Sequence, residues 1–274
     1  LIKSGDNINV KGTNHMVRHG SAIDQGNMYT FDTGNLSGTD LDAYRNGGAR
    51  NMAFRWTATT SNRNYMYNTA YTGFAADTNI DMTAVIWIKP NNTTGTNKRT
   101  ILNFMDDAGD TTPEGYSIQI SYTGDDLNVA LFDSGGSGYK NWTFPNCLTS
   151  GRFQLVSVAI DRGDITIAPV VTIDETVQST PTPSGTGTGV NHNIRTILVA
   201  DNAANDNKYE VEAALASISI WRTKLDLNDI KEIYNKGRWR DLCSHPKFYS
   251  CNDWWDFGAG TSTDLPAIND NITT

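Results

Sequence analysis

The chain has 274 residues, enough to bury the core of one large domain or two small ones without cross-links. Its formal net charge of -8, from 22 Lys and Arg against 30 Asp and Glu with no basic run, excludes nucleic acid and anionic membrane as main partners. No window approaches the ~20 consecutive apolar residues of a spanning helix, and three cysteines are too few for a disulfide framework.

Only Glu114, Glu175, Glu210, Glu212 and Glu232 are glutamates among the 30 acidic residues. Asp, Asn, Gly, Ser and Thr dominate instead, which is turn chemistry more than helix chemistry. The chain opens Leu1-Ile2-Lys3-Ser4 without an initiator Met or a leader, as a processed or partial chain would.

Residues 1–49 scatter Ile8, Val10, Met16, Val17, Met28, Tyr29 and Phe31 among Gly, Asn and Asp without sustained period. They read as an N-terminal arm packing on a neighbouring subunit, or as irregular first strands of the domain that follows. From residue 50 to 238, short β-rich segments recur between Gly, Asn, Asp and Pro. They are Asn51–Trp56, Met82–Lys89, Thr100–Met105, Tyr116–Tyr122, Leu127–Phe132, Phe153–Asp161, Ile165–Val177, Ile194–Ala200 and Val211–Trp221. Alternation such as Tyr116-Ser117-Ile118-Gln119-Ile120 buries one face of a strand and wets the other, which suits antiparallel sheets.

Thr180–Gly189 is too poor in apolar groups to pack and is expected to be a mobile surface loop. One helix is predicted after the last long strand. Asp226 can cap it, Leu225 can staple onto Ile230, Ile230, Ile233 and Tyr234 form an apolar stripe, and Gly237 ends it. Residues 239–274 form a C-terminal aromatic extension in which Trp254 and Trp255 cover a sheet edge or a neighbour. Cys243 and Cys251 are near enough in sequence to bridge a loop, against the alternative of reduced thiols. The fold class is therefore all-β: an antiparallel two-sheet jelly-roll sandwich with one short C-terminal helix.

The order of segments resembles the laminin G-like, concanavalin A-like jelly-roll family over roughly residues 50 to 238. The Trp strand Ala84–Pro90, the strand Phe153–Asp161, the Asp turn Val171-Thr172-Ile173-Asp174 and the strand plus helix Ile218–Gly237 carry the resemblance. The family's acidic pair in the final strand is replaced here by Ala213-Ala214-Leu215-Ala216, so any role of those acids is not carried over. The segment Asn252–Gly260 resembles one that follows such domains in structural proteins of marine bacteriophages. That resemblance implies a virion surface setting, with other virion proteins or copies of the chain as partners. A secreted, extracellular module is the alternative.

Glycoside hydrolysis needs two carboxyl groups across one sugar, about 5 to 9.5 Å apart. The Glu-x-Asp-x-Glu string of the family's glucanases is missing, and Glu210 and Glu212 beside Lys208 read as a solvated strand end. The expectation is a protein that is not an enzyme. The residues call for no cofactor with certainty; calcium is the one candidate, with oxygen ligands Asp201, Asn202 and Asp206 of a rim loop, and turn-making is the favoured role of these residues. For a cell-surface glycan, an aromatic face covers the apolar side of a pyranose and amides hold its hydroxyls. Tyr139, Asn141, Trp142 and Trp239 are the carbohydrate-binding candidates, although Trp142 alternates with Phe144 and has a core reading as well.

Overall fold

The computed structural model describes residues 6–7, 16–19, 28–30, 52–56, 65–68, 74, 80–90, 98–106, 116–134, 138–191, 193–199, 213–237 and 242–256. Their strands form two sheets. The first runs β1 (Asp6–Asn7), β2 (Met16–His19), β5 (Tyr65–Asn68), β14 (Thr196–Val199), β7 (Arg99–Met105), β8 (Tyr116–Thr123), β9 (Asp126–Phe132), β10 (Tyr139–Phe144). The second runs β13 (Thr176–Val177), β12 (Val170–Ile173), β11 (Gln154–Ile160), β6 (Met82–Pro90), β15 (Ala213–Trp221), β4 (Met52–Trp56), β3 (Met28–Thr30). Every described pairing is antiparallel. The all-β sandwich expected from alternation is the architecture observed.

Period two explains the core. Ile118, Ile120 and Tyr122 of β8 and Leu127, Val129 and Leu131 of β9 point inward, where they join Ala84, Ile86 and Ile88 of β6 and Val156, Val158 and Ile160 of β11. All are fully buried, and each large aliphatic side chain removed from water contributes roughly 1.5–3 kcal/mol.

The second sheet has apolar residues on its outer face as well, because α1 (Leu227–Tyr234) covers it. Val85, Leu155 and Trp221 pack there with Ile230, Ile233 and Trp254. The indole N–H of Trp221 donates to Ser219 Oγ at 2.9 Å and that of Trp254 to Ser217 Oγ at 3.0 Å, so neither buried donor is orphaned. Trp87 is half-buried against this outer cluster, stacked on Tyr234 at 5.8 Å. Asp226 caps α1 by accepting from the backbone N–H groups of Asn228 and Asp229, and the Asp229 carboxylate answers from the third position. The helix ends at Asn235 in the left-handed region, with Gly237 also at positive φ two residues on.

At both termini the described residues add strands to the sheets. The described parts of residues 1–49 are strands that extend both sheets: β2 pairs with β5 and β3 with β4. Their apolar residues are too few and too irregularly spaced for a recognisable period, but backbone pairing needs no period. Within the expected extension 239–274, Cys251–Asp256 forms β16, which pairs with Ser217–Trp221 while β4 pairs with Ala213–Leu215. The two strands thus share one edge of β15 end to end. Trp255 enters the main core and Trp254 the outer cluster. All three cysteines are free thiols, with Cys147 and Cys251 buried, so the Cys243–Cys251 bridge is not formed. Burial pushes the Cys147 thiol up to about 11.

Candidate functional site

The outer face of the first sheet is built differently. The registers place Tyr139, Asn141 and Thr143 of β10 opposite Phe132, Ala130 and Asn128 of β9. Gln119 and Ser121 of β8 come next, and Asn103 and Thr100 of β7 after them. Apart from Ala130 and the two aromatics, every one of these outward positions carries an amide or a hydroxyl. The inward positions between them are Trp142, Phe144, Leu127, Val129, Leu131, Ile118 and Ile120.

At the β10 end the polar groups form a chain. The Asn141 amide donates to Thr143 Oγ1 at 3.4 Å, the Thr143 hydroxyl donates to Asn128 Oδ1 at 2.8 Å, and the Asn128 amide donates to the Asp126 carbonyl at 3.4 Å. Such a chain fixes the amide orientations before any partner arrives. Beside it stands Tyr139, 45% exposed, with its ring 5.7 Å from Phe132, which lies 5.5 Å from Tyr116. The result is an aromatic rim against an ordered amide row.

The segment Thr180–Gly189 holds this rim. The expectation of a mobile loop is corrected: Asn141 and Ser184 exchange backbone hydrogen bonds at 3.0 and 2.9 Å, and the Gly187 N–H donates to the Tyr139 carbonyl at 3.0 Å. Backbone groups replace the apolar packing that the composition lacks. Close approach requires glycine, since a Cβ on Gly185, already at φ +89, would lie 2.2 Å from the Tyr139 carbonyl oxygen. Lys140 Nζ donates to the Gly185 carbonyl at 3.0 Å and tightens the same contact. Behind the rim, the fully buried Asn191 accepts from Ser117 Oγ at 2.6 Å and donates to the Phe132 carbonyl at 2.9 Å.

The sequence candidates separate cleanly. Tyr139 and Asn141 share the outer face, as their period-two spacing requires. Trp142 points the other way, is fully buried and belongs to the main core, so it offers no face to a sugar and leaves the candidate set. Trp239, Asp201, Asn202 and Asp206 lie outside the described residues, as do Glu210 and Glu212. No group of three or more His, Cys, Asp or Glu capable of holding a metal occurs among the described residues. The sequence reading did not single out Asn103, Gln119, Ser121, Asn128 or Thr143. Asn103, Gln119 and Ser121 are buried, Asn128 is half-buried and Thr143 exposed, and the available signal was chemical: the polar half of each alternating strand is neutral amide and hydroxyl, where a fully wet face carries Lys, Glu, Asp and Arg.

No protein-family model and no curated protein matches the chain. Its fold is similar to solved binding domains of botulinum neurotoxins. The serotype D/C binding domain aligns with TM-score 0.55 and 11% identity over 84% of this chain and 52% of that one. The serotype D ligand binding domain, solved in complex with N-acetylneuraminic acid, gives 0.53 and 11% over 85% and 51%. The receptor binding domain of the C/D mosaic serotype gives 0.51 and 11% over 84% and 51%. The chain spans about half the length of these domains. What it shares with them is the fold, a two-sheet antiparallel β-sandwich.

Proposed function

We propose that the chain is a glycan-binding module whose contact surface is the β9–β10 end of the outer face of the first sheet. The observation that carries this reading is the exposed Tyr139 ring beside the hydrogen-bonded row Asn141, Thr143 and Asn128. An aromatic plane takes the C–H face of a pyranose, and amides and hydroxyls exchange hydrogen bonds with its hydroxyl groups. These groups do not titrate near neutral pH, so they bind without moving protons, in keeping with a role that is not enzymatic. That a domain of similar fold was solved with N-acetylneuraminic acid agrees with a sugar ligand.

The finer reading is a virion surface protein, a capsid decoration or a fibre component, that contacts host-surface glycans and packs on copies of itself or on other virion proteins. Its support is the laminin G-like order of segments and the phage-like segment beginning at Asn252. A secreted carbohydrate-binding module is the alternative. Calcium at Asp201, Asn202 and Asp206 belongs to either reading. Screening the protein on a glycan array, with and without chelator, tests the binding role. Selective binding that weakens in Asn141→Ala supports it, and an array with no bound member overturns it. Antibody labelling of intact particles then separates the virion from the secreted setting.

A further inference from the structure

The open part of the polar face is a strip with a direction. Ser117, Gln119 and Ser121 of β8 are buried, as are Asn103 and Thr100 of β7, so the face is closed to a ligand from β8 onward. What remains is the outward row of β10, with Tyr139 and Thr143 exposed and Asn141 half-buried, together with half-buried Asn128 and Phe132 of β9. Across the strands this strip offers little to bind. Opposite Asn141 stands Ala130, buried and apolar, and beyond it the closed Gln119. Along β10 the groups come in order: the Tyr139 ring, then the Asn141 amide, then the Thr143 hydroxyl with Asn128 at its side.

The row is longer than one sugar. An antiparallel strand rises about 3.4 Å per residue, so the outward positions from Tyr139 to Thr143 span roughly 14 Å. A single pyranose stacked on Tyr139 reaches Asn141 and stops short of Thr143 and Asn128. Solvent-exposed residues continue past both ends, Pro145 and Asn146 beyond Thr143 and Ser184, Gly185 and Thr186 beside Tyr139. Sites for one small ligand are concave and bury most of its surface, whereas this row lies open along its length. Because Asn141 donates to Thr143 and Thr143 to Asn128, its polar groups stand as a fixed set, and each added sugar unit gains contacts without the cost of ordering a side chain.

We infer that the strip takes a linear, extended oligosaccharide lying along β10 and reads an internal stretch of it, not a terminal sugar. One unit stacks on Tyr139, the next lies over Asn141, and a third meets Thr143 and Asn128. The inference rests on the glycan-binding reading and names the ligand class of that same site.

The test uses the full chain on an array that carries branched glycans ending in single exposed sugars beside graded linear series, from monomer to hexamer, of glucose, mannose, galactose and N-acetylglucosamine. In at least one linear series binding should rise tenfold or more from monomer to trimer and then level off. Adding further units to both ends of the best trimer should not weaken it. Tyr139→Ala should lower binding of every member. Asn128→Ala removes the far end of the row and keeps the Asn141–Thr143 bond, so it should flatten the series beyond the dimer. Flat series, a loss of binding when the ends are extended, or an Asn128→Ala loss equal at every length overturns the internal-stretch inference and leaves the glycan reading standing. An array with no bound member overturns both. The end-extension arm needs no variant, so it decides the matter even if Asn128→Ala unfolds.

Discussion

The two sheets are made of strands with the same alternation, yet their outer faces are opposites. Outward positions of the second sheet are Val85, Leu155 and Trp221, sealed by Ile230 and Ile233 of α1. Outward positions of the first are Asn103, Gln119, Ser121, Asn128, Asn141 and Thr143. Both faces are far from an ordinary charged surface: one is apolar and covered by α1, the other is neutral and polar, buried at Asn103, Gln119 and Ser121 and open to solvent at Thr143 and Tyr139. On the proposed function, one face serves stability and the exposed end of the other recognition, and the identity of the non-core residue in each alternating pair decides which.

Substitutions that touch only one face sharpen the contrast. Trp221→Ala removes the largest side chain under α1 and leaves Ser219 without its donor, and should cost about 3–5 kcal/mol, read by denaturant unfolding. A cost under about 1 kcal/mol would mean that the helix is not fastened there. Next comes Gly185→Ala. It forces a Cβ against the Tyr139 carbonyl and should cost about 1–3 kcal/mol while also weakening glycan binding, because the strap positions the rim.

Asp226→Ala should cost about 1 kcal/mol by removing the cap of α1, with no effect on ligand. Its pH dependence has a definite sign. Backbone hydrogen bonds from Asp229 hold the Asp226 carboxyl below its ordinary value of 3.8, with Lys247 adding to the effect. A depressed folded-state pKa contributes stability above the unfolded value, and that contribution is lost as pH falls through the folded value. The gap between wild type and Asp226→Ala should therefore be full at pH 7 and shrink below pH 3.8. Thr143→Ala should be the mildest for stability, within about 0.5 kcal/mol at its exposed position, yet should weaken binding by breaking the Asn141–Asn128 chain.

The sandwich was legible because Ile118, Ile120, Val129 and Leu131 repeat at period two, and the helix because Asp226 and the Ile230–Ile233 stripe mark it, although it ends at Asn235, two residues before the expected Gly237. The strands toward the β1 and β3 ends of the sheets were not. β2, β3 and β5 are short and held by backbone pairing, which leaves no pattern in side chains. Half of the site was legible: Tyr139 and Asn141 were found by residue type, and alternation alone would have turned Trp142 inward. Asn103, Gln119 and Ser121 escaped notice because a single polar residue between two apolar ones looks like any wet strand position. Only the register, which sets them side by side across β7 and β8, gathers them into one buried polar patch. The strap over Tyr139 was hidden for a related reason, since its glycines act through what they approach.

Two exposed tyrosines permit the most direct test of that division. Tyr139, 45% exposed, stands on the rim of the first sheet, and Tyr249, 82% exposed, stands beside Phe248 of the helix-covered cluster. Glycan binding of Tyr139→Ala and Tyr249→Ala should be measured side by side by titration with the best array ligand. The account predicts a loss of at least tenfold, about 1.4 kcal/mol, for Tyr139→Ala and none for Tyr249→Ala. Equal losses, or a loss confined to Tyr249→Ala, would contradict the assignment of recognition to the first sheet.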